Sequence, residues 1–145
     1  DGAIHRVGGK AILDACQEIV KREGRLPTGK AVITTGGTLK PKYVIHTVGP
    51  IWHGGRNNEA KLLTSAYHDS LKLATEHNLT SISFPSISTG AYGYPVEDAS
   101  EVAIKAVSSF LKAESTSLKA VVFVLFDSAT YDLYRYALEK ISEAK

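Results

Sequence analysis

The residues best suited to chemistry gather in one stretch, Ser86-Ile87-Ser88-Thr89-Gly90-Ala91-Tyr92-Gly93-Tyr94-Pro95, which follows the apolar run Ser81-Ile82-Ser83-Phe84. Ser86, Ser88 and Thr89 are neutral hydrogen-bond donors. Gly90 and Gly93 let the backbone turn sharply and approach a ligand closely. Successive N–H groups in such a turn can form a concavity that holds an anion, and Tyr92 and Tyr94 can cover a sugar or a base. A loop of this composition is also what an ordinary strand-to-helix turn requires, so spacing alone leaves both readings open.

Asp1 and His5 make a second candidate. At i and i+4 an acid and an imidazole share one helix face and can orient a water or a sugar hydroxyl; a helix-start acid beside a packed histidine has the same spacing. The other histidines, His46, His53, His68 and His77, form no metal-binding pattern. His46 reads as a satisfied strand residue, and His68 and His77 as solvent-facing. Glu97 and Asp98 suit the positive end of a helix, and Cys16 reads as a small core residue. No Walker loop, no dinucleotide G-x-G-x-x-G and no G-x-S-x-G elbow is present. Metal and serine-nucleophile chemistry are therefore not expected.

These groups need a frame to hold them. The 145 residues suffice for one domain with a real core, taken as 1–145. The net charge of +2 is too mild for a nucleic-acid surface but leaves room for a small anion. The single cysteine excludes an intrachain disulfide, no run reaches membrane-spanning length, and no signal peptide is visible; a cytoplasmic protein is expected. Helical periodicity covers residues 1–23, 59–77, 95–111 and 128–142; strand patterns cover 31–35, 43–48, 81–84 and 119–126. The last run, Ala120 to Phe126, is continuously apolar and suits a strand buried on both faces. Alternating strands and helices predict an α/β fold with a mostly parallel, helix-covered sheet.

Four blocks together resemble the macrodomain family: Asp1-Gly2-Ala3-Ile4-His5, Tyr43 to Pro50 (Y-V-I-H-T-V-G-P), Phe84 to Tyr94 with its I-S-T-G-x-Y-G-[FY]-P pattern, and the Val121 to Phe126 strand. Thr28-Gly29-Lys30-Ala31 and Trp52-His53-Gly54-Gly55 resemble the bacterial branch that hydrolyses O-acetyl-ADP-ribose. The resemblance implies a three-layer α/β/α fold with a mostly parallel mixed sheet. It also implies ADP-ribose as ligand, with Ser88, Thr89, Gly90, Ala91 and Tyr92 around the diphosphate and Tyr92 by the distal ribose. Phe126 would stack on adenine. Asp1 would position or activate water, supported by His5, with no metal or cofactor. The implied activity is hydrolysis of ADP-ribosyl esters, either O-acetyl-ADP-ribose or mono-ADP-ribosylated acidic side chains of proteins. The alternative is a non-catalytic ADP-ribose reader.

The sequence departs from the family at its start. Family members carry further strands, a helix, an Asn-containing segment and a glycine run ahead of the position matching Asp1. An upstream Asp that reads adenine is missing too. The expectation is a macrodomain without its N-terminal strands, either because the sequence is a piece of a longer chain or because those elements are lost; in the second case a partner chain or domain swap would fill the gap.

Overall fold

The structure, a computed structural model, describes residues 10–39 and 41–143. The chain order is α1 (Lys10–Glu23), β1 (Ala31–Thr35), β2 (Tyr43–Thr47), α2 (Glu59–Glu76), β3 (Ser81–Phe84), α3 (Val96–Ala113), β4 (Ala120–Phe123) and α4 (Ser128–Glu143). Helix α1 carries Lys21 and Arg22 in its last turn, where cations oppose the negative end of the helix. It stops at Gly24, which takes a φ of 81° and returns its N–H to Val20 O at 2.8 Å.

Among the described residues the strands pair in two separate ladders, one antiparallel and one parallel, where a mostly parallel mixed sheet is expected. β1 and β2 form an antiparallel hairpin, running in register from Ala31 opposite Thr47 to Thr35 opposite Tyr43. Its turn is closed by Gly36 N–H to Lys42 O at 2.9 Å. β3 and β4 are parallel, with Ser81 opposite Ala120 and Phe84 opposite Phe123. A parallel pair needs a long crossover, and α3 supplies it.

Helix α2 ends in a left-handed cap: Asn78 has φ 54°, its N–H reaches Thr75 O at 3.0 Å, and Leu79 N–H reaches Ala74 O at 3.0 Å. Those two bonds satisfy carbonyls the helix would otherwise leave open, and they aim the chain into β3. Helix α1 packs on β1, α2 touches both strands of the hairpin, and α2, α3 and α4 lie in a row. The core joins Leu63, Tyr67 and Leu71 of α2 to Phe84 of β3, Ala103, Val107 and Phe110 of α3, and Tyr134 and Ala137 of α4. Small alanines on α3 let its neighbours approach closely while the aromatic rings fill the remaining volume.

Three expectations need correction. The last apolar run is not buried on both faces: β4 stops at Phe123, and Val122 and Val124 are 50% and 53% exposed. Val124 N–H still bonds Phe84 O at 2.8 Å. Beyond that point β3 has turned away through Pro85, which has no N–H to offer, so Phe126 lies past the strand rather than at its end. Pro95 caps α3 instead of occupying its first turn. His68 is half-buried, within 2.9 Å of Ala106 O and 3.2 Å of Ser109 Oγ, because α2 turns that face toward α3.

Candidate functional site

The segments leaving β2, β3 and β4 meet around the loop from Pro85 to Pro95. β3 delivers it, and the register of Phe84 with Phe123 sends the segment after β4 out of the same end of the pair. That is the end where open α/β sheets bind ligands. The segment after β2 arrives as well: Trp52 N–H donates to Tyr92 O at 2.9 Å, and the Trp52 ring lies 4.6 Å from that of Tyr94.

Side chains hold the base of the loop. Thr89 Oγ1 lies 3.0 Å from Ser86 O and 2.8 Å from Ser86 Oγ, and Ser86 Oγ is 2.7 Å from the Tyr134 hydroxyl. Ile87 N–H reaches the Tyr67 hydroxyl at 3.4 Å. Burial raises the pKa of both Tyr67 and Tyr134, so they remain neutral hydroxyls. The outer part closes on itself through Gly93 N–H to Gly90 O and Tyr94 N–H to Ser88 O, both 3.0 Å. Tyr94 is buried, and that burial, with the charges of Asp98 and Glu59, raises its pKa.

After those bonds are made, the N–H groups of Ser88, Thr89, Gly90, Ala91 and Tyr92 donate to no group among the described residues. Ser88 has φ 69° and Gly93 φ 72°, and a turn that contains left-handed residues can present successive N–H groups to an anion. The segment from Ser86 to Pro95 contains no lysine or arginine. The arrangement can therefore hold an anion by oriented dipoles rather than by a cation.

Ser88, Thr89, Gly90, Ala91 and Tyr92 are consecutive residues of this loop, and Tyr92 is 40% exposed. Phe126 is 94% exposed. It immediately precedes Asp127, whose Oδ1 takes the Thr130 N–H at 2.7 Å and starts α4; that bond lowers the Asp127 pKa. Asp1 and His5 lie outside the described residues. His46 meets Thr34 Oγ1 at 2.9 Å and Cys16 Sγ at 3.6 Å, in keeping with a packed strand histidine. Among the described residues no three His, Cys, Asp or Glu are grouped to hold a metal, and no helix is long and apolar enough to cross a membrane. A cavity of about 500 Å³ between α2 and α3 is lined by Lys61, Asp69, Lys72, Glu76 and Glu114. It is a mixed-charge groove away from the loop.

Sequence reasoning missed Glu59. It is 1% exposed and accepts the N–H groups of His53 (2.7 Å), Gly55 (3.0 Å) and Asn57 (2.6 Å), fixing the loop that carries Trp52 to Tyr92. Burial raises its pKa, but the backbone donors outweigh burial and the net shift is downward. A glutamate opening a helix gives no hint in sequence that it is buried; the glycine-rich loop before it was the available signal.

The family model for the macro domain matches residues 1–103. The chain belongs to the macro domain family. It is 54% identical to a macro domain-containing protein of Caldanaerobacter subterraneus over 99% of this chain and 81% of that one. It is 51% identical to an O-acetyl-ADP-ribose deacetylase of Klebsiella pneumoniae, over 95% of this chain and 78% of the relative. The solved Oceanobacillus iheyensis macrodomain with ADP superposes with a TM-score of 0.93 at 41% identity, covering 99% of this chain and 76% of that one. The α/β/α macrodomain fold implied by the sequence motifs is thereby established, and the Ser86–Pro95 loop of this macro domain carries the family pattern that first suggested it.

Proposed function

We propose that this macro domain binds ADP-ribose and hydrolyses ADP-ribosyl esters, with O-acetyl-ADP-ribose as substrate and mono-ADP-ribosylated acidic side chains of proteins as a second class. The observation that carries the proposal is the row of undonated N–H groups from Ser88 to Tyr92 in a loop without cations. A diphosphate matches such a row, since hydrogen bonds to an ionised acceptor are shorter and stronger than neutral ones. Support comes from the relative named O-acetyl-ADP-ribose deacetylase and from the neighbour solved with ADP. Tyr92 lies by the distal ribose in this reading, and Phe126 stacks on adenine.

The assigned chemistry follows from the motifs. Asp1 accepts a proton from a water whose oxygen attacks the ester carbonyl carbon. The tetrahedral adduct collapses, the bond from the acyl carbon to the ribose oxygen breaks, and that oxygen takes up the proton. The products are acetate and ADP-ribose; His5 supports the Asp1 carboxylate.

Two measurements test this. Titration calorimetry with ADP-ribose should show saturable binding to folded protein, and absence of heat would refute the binding site. Mass spectrometry should show acetate release from O-acetyl-ADP-ribose falling by about 10² to 10⁴ in Asp1→Ala, the range typical for a lost general base, while ADP-ribose still binds. Equal rates would remove Asp1 from the mechanism. Binding without turnover in either protein would make this domain a reader.

A further inference from the structure

Ser88 is built in an unusual way. Three residues other than glycine have positive φ among those described, Asn58, Asn78 and Ser88. The two asparagines flank α2, and asparagine is the side chain that best tolerates this region. Ser88 has no such excuse. Its Oγ is buried and has no hydrogen-bond partner among the described residues, an arrangement that folded proteins generally avoid. Strained backbone and an unpaired buried hydroxyl in one residue mark a position held by its surroundings.

What holds it is Gly49. Gly49 and Pro50 are buried, and a Cβ built on Gly49 would overlap Ser88 Oγ and lie 2.5 Å from Ile87 Cγ2. Gly49 does not have positive φ. Glycine is therefore required there for space and not for backbone conformation. The backbone after β2 lies directly against the residue at which the anion loop begins its turn.

We propose that Gly49 is a positioning residue for the ligand: by seating Ser88 in its left-handed conformation it aims the N–H groups of Ser88 to Tyr92 at one anion. The inference rests on the function proposed above. A left-handed residue followed by right-handed ones turns consecutive N–H groups to a common side, and the bond from Tyr94 N–H to Ser88 O locks the other end of that turn. A methyl group at position 49 pushes Ser88 away and splays the row, with the core beneath left intact.

The test is a cycle of four proteins: wild type, Gly49→Ala, Ser88→Gly and the double variant, each measured by thermal melting and by calorimetry with ADP-ribose. Gly49→Ala should weaken ADP-ribose binding at least tenfold. Ser88→Gly should melt higher than wild type, because glycine takes positive φ freely and removes the unpaired hydroxyl. In the double variant the overlap with Ser88 is gone while the one with the β-branch methyl of Ile87 remains, so the affinity and melting temperature should return in part. As a control, Ile104→Val, buried in α3, should lower the melting temperature and leave affinity within twofold. If Gly49→Ala alone does not fold, the double variant should. A double variant as impaired as Gly49→Ala, in binding or in folding, would overturn the proposal. Wild-type protein that melts cooperatively but ignores ADP-ribose would instead overturn the proposed function, and the melting temperatures of the cycle would still read the Gly49–Ser88 contact.

Discussion

The hydroxyl of Tyr134 belongs to α4 but serves the loop after β3. It lies 2.7 Å from Ser86 Oγ, which in turn meets Thr89 Oγ1 at 2.8 Å. The ring packs with Phe123, centroids 5.2 Å apart, and is almost fully buried. Tyr134→Phe keeps the ring and deletes only the hydroxyl. A hydrogen bond of this kind contributes about 1 kcal/mol net, so denaturant unfolding should show a loss of that size. ADP-ribose affinity should fall as well, because Ser86 and Thr89 lose their tether. Unchanged affinity would mean that the loop holds its shape without this anchor. None of this was legible in sequence, where Tyr134 is one aromatic on an amphipathic helix. Ser88 to Tyr92 was legible, because glycine and small hydroxyl residues concentrate wherever backbone must meet a ligand.

At the level of elements, local sequence marked most boundaries. β1 and β3 fall where their β-branched and alternating residues place them, and α2 where its periodicity does. β4 was overestimated, since a run of apolar residues reports hydrophobicity while strand length depends on how far the neighbour continues. β3 turns off at Pro85, and the ladder ends with it. The loop before α2 hides its organising residue for a related reason: Glu59 looks like a first-turn acid, yet it gathers three backbone N–H groups from across that loop. Its pKa is lowered below the ordinary glutamate value near 4.5. A group with a depressed folded pKa adds stability above its unfolded value and loses it as pH falls through the folded one. Thermal melts should therefore be insensitive to Glu59 ionisation above about pH 4.5 and show a decline below it. Glu59→Gln should melt lower than wild type at neutral pH, and its own melting temperature should decline less on acidification. Parallel acid limbs in the two proteins would show that Glu59 is not ionised in the folded loop.

Across the whole molecule, the site is a meeting of parts distant in sequence. The end of β2 supplies Gly49 and Trp52, α2 supplies Tyr67 and Glu59, β3 leads into the Ser86–Pro95 loop, and α4 supplies Tyr134. Each touches the loop directly or through one neighbour, and among the described residues these contacts leave one row of N–H groups, Ser88 to Tyr92, without a partner. The mild net charge of +2 fits recognition by dipoles better than by a basic surface. The central claim is that this row holds the diphosphate. The most direct measurement is a proton–nitrogen correlation titration of isotopically labelled protein with ADP-ribose. The amide resonances of Ser88, Thr89, Gly90, Ala91 and Tyr92 should move downfield together and saturate with the binding isotherm. Saturable binding that leaves those amides in place would contradict the account.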